Sequence, residues 1–206
     1  MNTESTRAGA AGRGGTRRRL SGDDWARAAL TAIGEGGLGA VAVEPLAARL
    51  GTTKGSFYWH FANREALIEA ALKLWEHEHT ESLISRIEAD SDPSARLRQL
   101  FALVVGYSRN DSIEVALLAT ADHPLVAPVM RRVTERRVSY VASLFEELAV
   151  PPAEARRRAL LAVSVYLGHI QFAHAAPDTL PTDPDEWRLH IEEMSDTLLP
   201  KPGQTR

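Results

Sequence analysis

From residue 21 onward, apolar side chains recur at three- and four-residue intervals, and no segment alternates apolar with polar for more than a few positions. That spacing is the mark of amphipathic helices, and it predicts an all-α chain. Ser21 stands where it can cap a first helix, with Asp23 and Asp24 near the positive end of the helix dipole and Trp25, Ala28, Ala29, Ala32 and Ile33 as its stripe. Gly34, Gly36, Gly37 and Gly39 are read as its end and a flexible connection. A short helix from about Glu44 to Leu50 follows, with Pro45 in its first turn, where a missing N–H costs nothing. Gly51 stops it. Thr52 and Thr53 offer caps for a third short helix through Phe61, and Asn63 caps a long one striped by Leu67, Ile68, Ala71, Leu72 and Trp75 and extending toward Ile87. Two short helices joined by three or four residues including Gly have the helix-turn-helix length pattern. Further helices are expected over 94–109, 112–121, 125–149, 152–175 and 185–199, separated by turn signals such as Asn110-Asp111 and Pro151-Pro152.

Composition narrows the function classes. With 206 residues, 44% hydrophobic and 25% charged, the chain is globular and has room for a small module beside a larger one. The absence of cysteine excludes a disulfide framework, a thiolate nucleophile and a zinc site built on sulfur. No apolar run approaches the ~20 residues needed to span a bilayer, so no membrane partner is expected. The first twenty residues are rich in Arg and Gly without an apolar h-region, unlike a secretory signal, and should be disordered in isolation. The cytoplasm is the expected compartment. The net charge of −3 conceals a split: residues 1–75 carry ten Lys and Arg against seven Asp and Glu, and the remainder fourteen against twenty. A basic front and an acidic rear face different partners.

The third helix concentrates unusual chemistry. Lys54, Tyr58, Trp59 and His60 offer cationic, hydroxyl, aromatic and imidazole groups to phosphates and base edges, and Gly55 lets the backbone approach another molecule. Phe57 and Phe61 are read as the pins of its core face. In the rear, the helix over 152–175 carries two stripes, one of Leu160, Val163, Leu167, Ile170 and His174, the other of Leu161, Val165, Gly168 and Phe172. A second copy would cover the excess through Leu160, Val163, Leu167, Gly168, Ile170, Trp187, Ile191 and Met194; the alternative is packing within one chain. Phe101, Tyr107, His123, Tyr166, His169, Phe172 and His174 are candidates to line a largely apolar ligand cavity. The stretch Trp75-Glu76-His77-Glu78-His79 lacks His-Glu-x-x-His spacing and reads as a solvated charged face. No catalytic residue, metal site or cofactor motif stands out.

Residues 21–72 resemble the N-terminal helix-turn-helix of TetR-family transcriptional regulators. The resemblance is carried above all by Leu46-Ala47-Ala48-Arg49-Leu50-Gly51-Thr52-Thr53-Lys54-Gly55-Ser56-Phe57-Tyr58-Trp59-His60-Phe61-Ala62-Asn63-Arg64-Glu65-Ala66-Leu67. With it the chain divides into a disordered Arg-rich arm over 1–20, read from composition, a helix-turn-helix DNA-binding domain over 21–66, a helical ligand-binding and dimerisation domain over 67–200 and a flexible tail over 201–206. The resemblance also implies a homodimeric repressor, not an enzyme, released from a double-stranded DNA operator by a small molecule. Lys54 and Gly55 then correspond to residues approaching bases, Thr53, Tyr58 and His60 to phosphate or base contacts, Trp59 to an aromatic reader and Arg64 to a phosphate anchor. Two departures stand out: Ala42 and Val43 replace a usual capping Thr, and Glu44 falls where a basic residue is frequent. The Arg-rich arm is a candidate compensation. The departures keep a second reading open, a helical dimeric protein-interaction module with weakened DNA binding.

Overall fold

A computed structural model describes residues 20–108 and 111–199, with Val105, Tyr107 and Ser108 as backbone only. The arm expected over 1–20, apart from Leu20, and the tail over 201–206 lie outside the described residues. The architecture is all-α, with no strand among the described residues.

Helix α1 (Gly22–Gly36) opens with a capping box: the Asp24 N–H donates to Ser21 Oγ at 3.2 Å and the Ser21 N–H donates to Asp24 Oδ2 at 2.8 Å. The glycines expected to end it divide their work. Gly37 takes a left-handed φ of 71° just past the helix, whereas Gly34 lies inside it. A Cβ on Gly34 would stand 2.7 Å from Ser112 Oγ, so this glycine permits α1 to pack closely against α7 (Ser112–Leu118) and is no flexible link.

After a 3-10 turn at Leu38–Ala40 come α2 (Val43–Arg49), α3 (Lys54–Phe57) and α4 (Arg64–Glu76). Helix α3 stops four residues short of the expected Phe61, and Tyr58–His60 form a turn instead. A run of aromatic residues has little helix propensity, and Asn63 must be extended to accept the Ala66 N–H as the α4 cap. Helix α4 passes through a π-turn at His77–Glu81 into α5 (Ser82–Ile87). Helices α6 (Pro93–Ser108), α7, α8 (Ala127–Glu147), α9 (Pro152–Ala175) and α10 (Pro184–Leu198) follow, with bounds within a few residues of those expected.

Two apolar cores result. Trp25, Ile33, Leu46, Phe57, Leu67, Ile68, Leu72 and Trp75 join α1–α4 and extend to Leu117 of α7 and Val126 and Val133 at the start of α8. Ile87, Leu97, Phe101, Leu144, Phe145, Ala159 and Leu198 form the second, among α5, α6, α8, α9 and α10. Each large side chain fully withdrawn from water contributes about 1.5–3 kcal/mol. The front therefore shares its core with α7 and α8, and a displacement of either is felt by the other.

Candidate nucleic-acid interface and internal cavity

At the front, Phe57 fixes which way α3 faces. It is fully buried, edge-on to Trp25 at 5.5 Å and stacked on Phe61 at 5.7 Å. With that side chain inward, Thr53, Lys54, Gly55, Tyr58, Trp59 and His60 are all exposed. Trp59 keeps 82% of its surface in water and Tyr58 57%, which leaves two large aromatic rings mostly uncovered in the turn after α3. Gly51, with φ 63°, makes the turn between α2 and α3. At Gly55 a Cβ would meet only Thr53 Oγ1, at 3.6 Å, so the chain's own packing does not demand glycine there. Thr53 precedes α3 without capping it through its hydroxyl, which remains on the exposed face.

Two charged side chains near this face are engaged within the chain. Lys54 Nζ donates to Glu44 Oε1 at 2.5 Å, and both are exposed. The hydrogen bond from Lys54 holds the Glu44 carboxyl below its ordinary range, and the same bond raises the Lys54 ammonium. Arg64 is half-buried; its Nε donates to the Val41 carbonyl at 2.6 Å and its Nη2 to the Leu38 carbonyl at 2.5 Å. It thus ties the turn ahead of α2 to the first residue of α4. Ala42 precedes α2 with no side-chain cap, in keeping with the departure noted in the sequence.

In the rear, a cavity of about 270 Å³ opens between the π-turn, α5, α6, α8 and α9. Leu100, Phe101, Val104, Val141 and Val163 give it apolar walls, while His79, Asp111, Arg137, Tyr140 and Tyr166 bring polar atoms to it. Arg137 Nη1 and Nη2 bind Glu114 Oε1 and Oε2 at 2.5 and 3.1 Å, and its Nε reaches Thr80 Oγ1 at 3.2 Å. Tyr166 donates its hydroxyl to Glu114 Oε2 at 2.9 Å. Burial, seconded by the Glu114 charge, pushes the Tyr166 phenol well above its ordinary value. Glu114 is fully buried, so its partners are obligatory: an ionised carboxylate so far from water persists only when its oxygens are met.

The cavity and the front meet at the π-turn. Glu78, His79 and Thr80 line the cavity, and Glu78 also grips Arg27 of α1 with both oxygens, at 2.6 and 3.2 Å. Glu76 likewise binds Arg132 twice, at 2.7 and 2.6 Å, and Glu81 binds Arg136. The acidic stretch read as a solvated face is a row of interhelical ion pairs.

Residues 27–71 match the model of the family described as bacterial regulatory proteins, tetR family. That match covers the front of the chain, from α1 into α4. Members of the TetR family are DNA-binding transcriptional regulators, not enzymes. A transcriptional regulator from Rhodococcus sp. Rha1 shares the fold over 87% of this chain and 95% of its own, at 21% identity and a TM-score of 0.69. A TetR-family regulator from Agrobacterium tumefaciens does so over 85% and 96%, at 18% identity and 0.69. AibR, in complex with isovaleryl coenzyme A and operator DNA, does so over 87% and 98%, at 21% identity and 0.63. No curated protein sequence matches the chain.

The sequence-predicted site residues divide. The exposed surface of α3 and the turn after it brings together Thr53, Lys54, Gly55, Tyr58, Trp59 and His60, whereas Arg64 turns inward to backbone carbonyls. Of the cavity candidates, Phe101 and Tyr166 line the void. Phe172 and His174 are exposed, because the last turns of α9 present them to solvent. His123 accepts the Leu125 N–H through Nδ1 and serves its own turn. His169 meets His190 Nε2 to Nε2 at 2.8 Å, away from the cavity. The Tyr107 side chain lies outside the described residues. Of the interface candidates, Val163 and Ile170 are buried inside the chain; Leu167, Gly168, Trp187, Ile191 and Met194 are half-buried, and Leu160 is exposed. Leu161, Phe172 and Leu189, each more than half exposed, join Leu160 on the outer apolar surface of α9 and α10. Sequence reasoning missed His79, Asp111, Glu114, Arg137 and Tyr140, whose polar character inside an amphipathic pattern looks like an ordinary solvent-facing stripe. No helix among the described residues is long and apolar enough to cross a membrane.

Proposed function

We propose that the chain is a cytoplasmic, homodimeric repressor that a small molecule releases from operator DNA, with residues 21–66 as the DNA-binding part and 67–200 as the ligand and dimer part. Thr53, Lys54, Gly55, Tyr58, Trp59 and His60 meet the major groove, and Arg64 holds α2 and α4 at the angle that presents them. The observation that carries the reading is the π-turn, whose Glu78 both lines the cavity and grips Arg27 of α1. A ligand that alters the π-turn thereby acts on the front, since any differential affinity for two arrangements shifts their balance. In a dimer whose half-sites lie about 34–36 Å apart, a small change in head separation breaks register. The exposed Leu160, Leu161, Phe172 and Leu189 beside Gly168 support α9 and α10 as the dimer face. AibR, caught with both operator DNA and an acyl-coenzyme A, supports joint DNA and ligand binding on this fold.

Fluorescence titration against duplex DNA from upstream of the chain's own coding sequence, at several salt concentrations, tests the reading. Saturable, sequence-selective binding with a steep salt slope is expected. Weak binding indifferent to sequence rejects it in favour of the protein-interaction module, which the Glu44–Lys54 pair would then explain as a neutralised surface.

A further inference from the structure

The buried end of the cavity has an excess of negative charge. Asp111 lines it and Glu114 binds two of its wall residues, Arg137 and Tyr166, so two carboxylates stand against one guanidinium, with the His79 imidazole 3.4 Å from Asp111 Oδ2. Arg137 is occupied by the protein itself: Glu114 takes both terminal nitrogens, and Thr80 Oγ1 and the His79 carbonyl take further N–H groups at 3.2 and 3.5 Å. Four of its five N–H donors are thus assigned, and the group is poorly placed to receive an anion. Asp111 is different. Its Oδ1 accepts the Glu114 N–H at 2.9 Å as the cap of α7, but its buried Oδ2 accepts no hydrogen bond; the nearest candidate, His79 Nδ1, stands 3.4 Å away. The Tyr140 hydroxyl, on a side chain buried among the same walls, also lacks a partner. Both residues line the cavity. Two unmet polar atoms, one of them a carboxylate oxygen, on residues that line an apolar chamber are what a bound molecule would satisfy.

The Asp111 carboxyl is ionised at neutral pH. Burial pushes it upward, but His79, the Glu114 N–H and Arg137 together outweigh burial and hold it below its ordinary range. Glu78 is paired with Arg27, and Arg86 stands at the exposed mouth, where water and salt screen it. The chamber is small, near the lower end of the ~300–1,000 Å³ usual for ligand sites.

We infer that the cavity selects a small amphipathic cation, an amine on an apolar body, whose N–H groups are received by Asp111 Oδ2 with Tyr140 as a second polar contact. This rests on the reading of the cavity as the effector site. The ammonium meets the one carboxylate oxygen left without a donor, and the apolar body fills the space among Leu100, Phe101, Val104, Val141 and Val163. A carboxylate of the same size would face Asp111 with like charge and find Arg137 already engaged.

Calorimetric titration of the full chain at pH 7 with octylamine, octanol and octanoate tests the inference. Octylamine is expected to bind roughly tenfold tighter than either homologue, as a charge-assisted hydrogen bond favours it alone. Asp111→Asn keeps the α7 cap while removing the charge, and is expected to abolish that preference without weakening octanol. Should Asp111→Asn fail to fold, judged by circular dichroism, Tyr140→Phe locates the ligand by a severalfold loss for octylamine. Octanoate binding as tightly as octylamine, an unchanged preference in folded Asp111→Asn, or no binding by any of the three overturns the inference. The upstream-DNA assay separates this from the effector reading. Octylamine that binds in the cavity without releasing DNA leaves the cation assignment standing and rejects the effector role; release by octanoate alone does the reverse.

Discussion

In the front of the molecule, Lys54, Tyr58, Trp59 and His60 stand outside a core of Trp25, Ile33, Phe57 and Leu67; in the rear, Asp111, Glu114, Tyr140 and Tyr166 sit inside, while Leu160, Leu161, Phe172 and Leu189 face outward. The two regions invert the usual placement in complementary senses. An exposed polar and aromatic face is made to be met by a polar surface, whereas an inward polar cluster with an outward apolar surface fits a chamber beside an interface. The inversion also sets what a substitution does. Removing an exposed group changes binding and leaves folding alone; removing a buried one changes folding first.

The largest effect is expected at Arg137. Arg137→Ala strands the fully buried Glu114 without its counter-charge and leaves the Tyr166 hydroxyl as its remaining strong donor. A loss of about 3–5 kcal/mol follows, and at about 2–4 °C per kcal/mol for a chain of this size the midpoint in thermal denaturation falls by roughly 10 °C. Replacing Glu114 and Arg137 together by apolar residues of like volume should cost much less, because the penalty lies in the orphaned charge. A single substitution that leaves the midpoint unmoved would show the network to be open to water.

Arg64 tests the border between the two regimes. By position it belongs to the front, but by its bonds to the Leu38 and Val41 carbonyls it behaves as a buried group. Arg64→Ala should destabilise by about 2 kcal/mol through two lost charge-assisted bonds. DNA affinity should fall as well, by misplacement of α2, with the salt slope unchanged. A slope reduced by about one would instead mark a direct phosphate contact.

How much of this the sequence carried follows from the same contrast. The front is one contiguous motif, and its inward stripe, from Trp25 to Ile33 and from Leu67 to Trp75, follows from helical spacing alone; Ser21 and Asn63 cap where expected. The cavity is different, because His79, Asp111, Arg137, Tyr140 and Tyr166 come from four separate segments and only tertiary packing unites them. Arg137 also looks in sequence like any charged residue of a solvent-facing stripe. On α9, spacing separates the stripe of Val163 and Ile170 from that of Leu161 and Phe172 but does not tell which faces inward, so Val163 and Ile170, expected at an interface, are instead buried within the chain. Arg64 escaped because a long flexible side chain can reach either phosphate or carbonyl, and spacing does not tell which.

A purely external effect is expected at Tyr58. Tyr58→Ala removes a ring more than half in water, so the thermal midpoint should stay within about 1 °C. Affinity for upstream DNA should fall roughly tenfold to a hundredfold if the ring contacts bases. Equal affinity for both proteins would remove α3 from the interface.

The smallest effect, and the only one expected to strengthen binding, concerns Glu44. In the free chain its carboxylate neutralises Lys54, the cation at the start of α3, and both side chains are exposed, so the pair adds little to folding. If α3 meets DNA as proposed, the same carboxylate would stand close to phosphates that repel it, and Lys54 would divide its N–H donors between Glu44 and the nucleic acid. Glu44→Gln keeps the shape and removes the charge. Affinity should rise by up to about tenfold at low salt, and the slope of log K against log salt should steepen by roughly one as Lys54 turns to phosphate. The gain should shrink as salt rises, with the thermal midpoint unchanged. Loss of affinity confined to one operator sequence would reverse the assignment, making Glu44 a reader that accepts a cytosine amino group in the major groove. In that case the departure at Glu44 is a specificity element, and Lys54 serves to hold it in place.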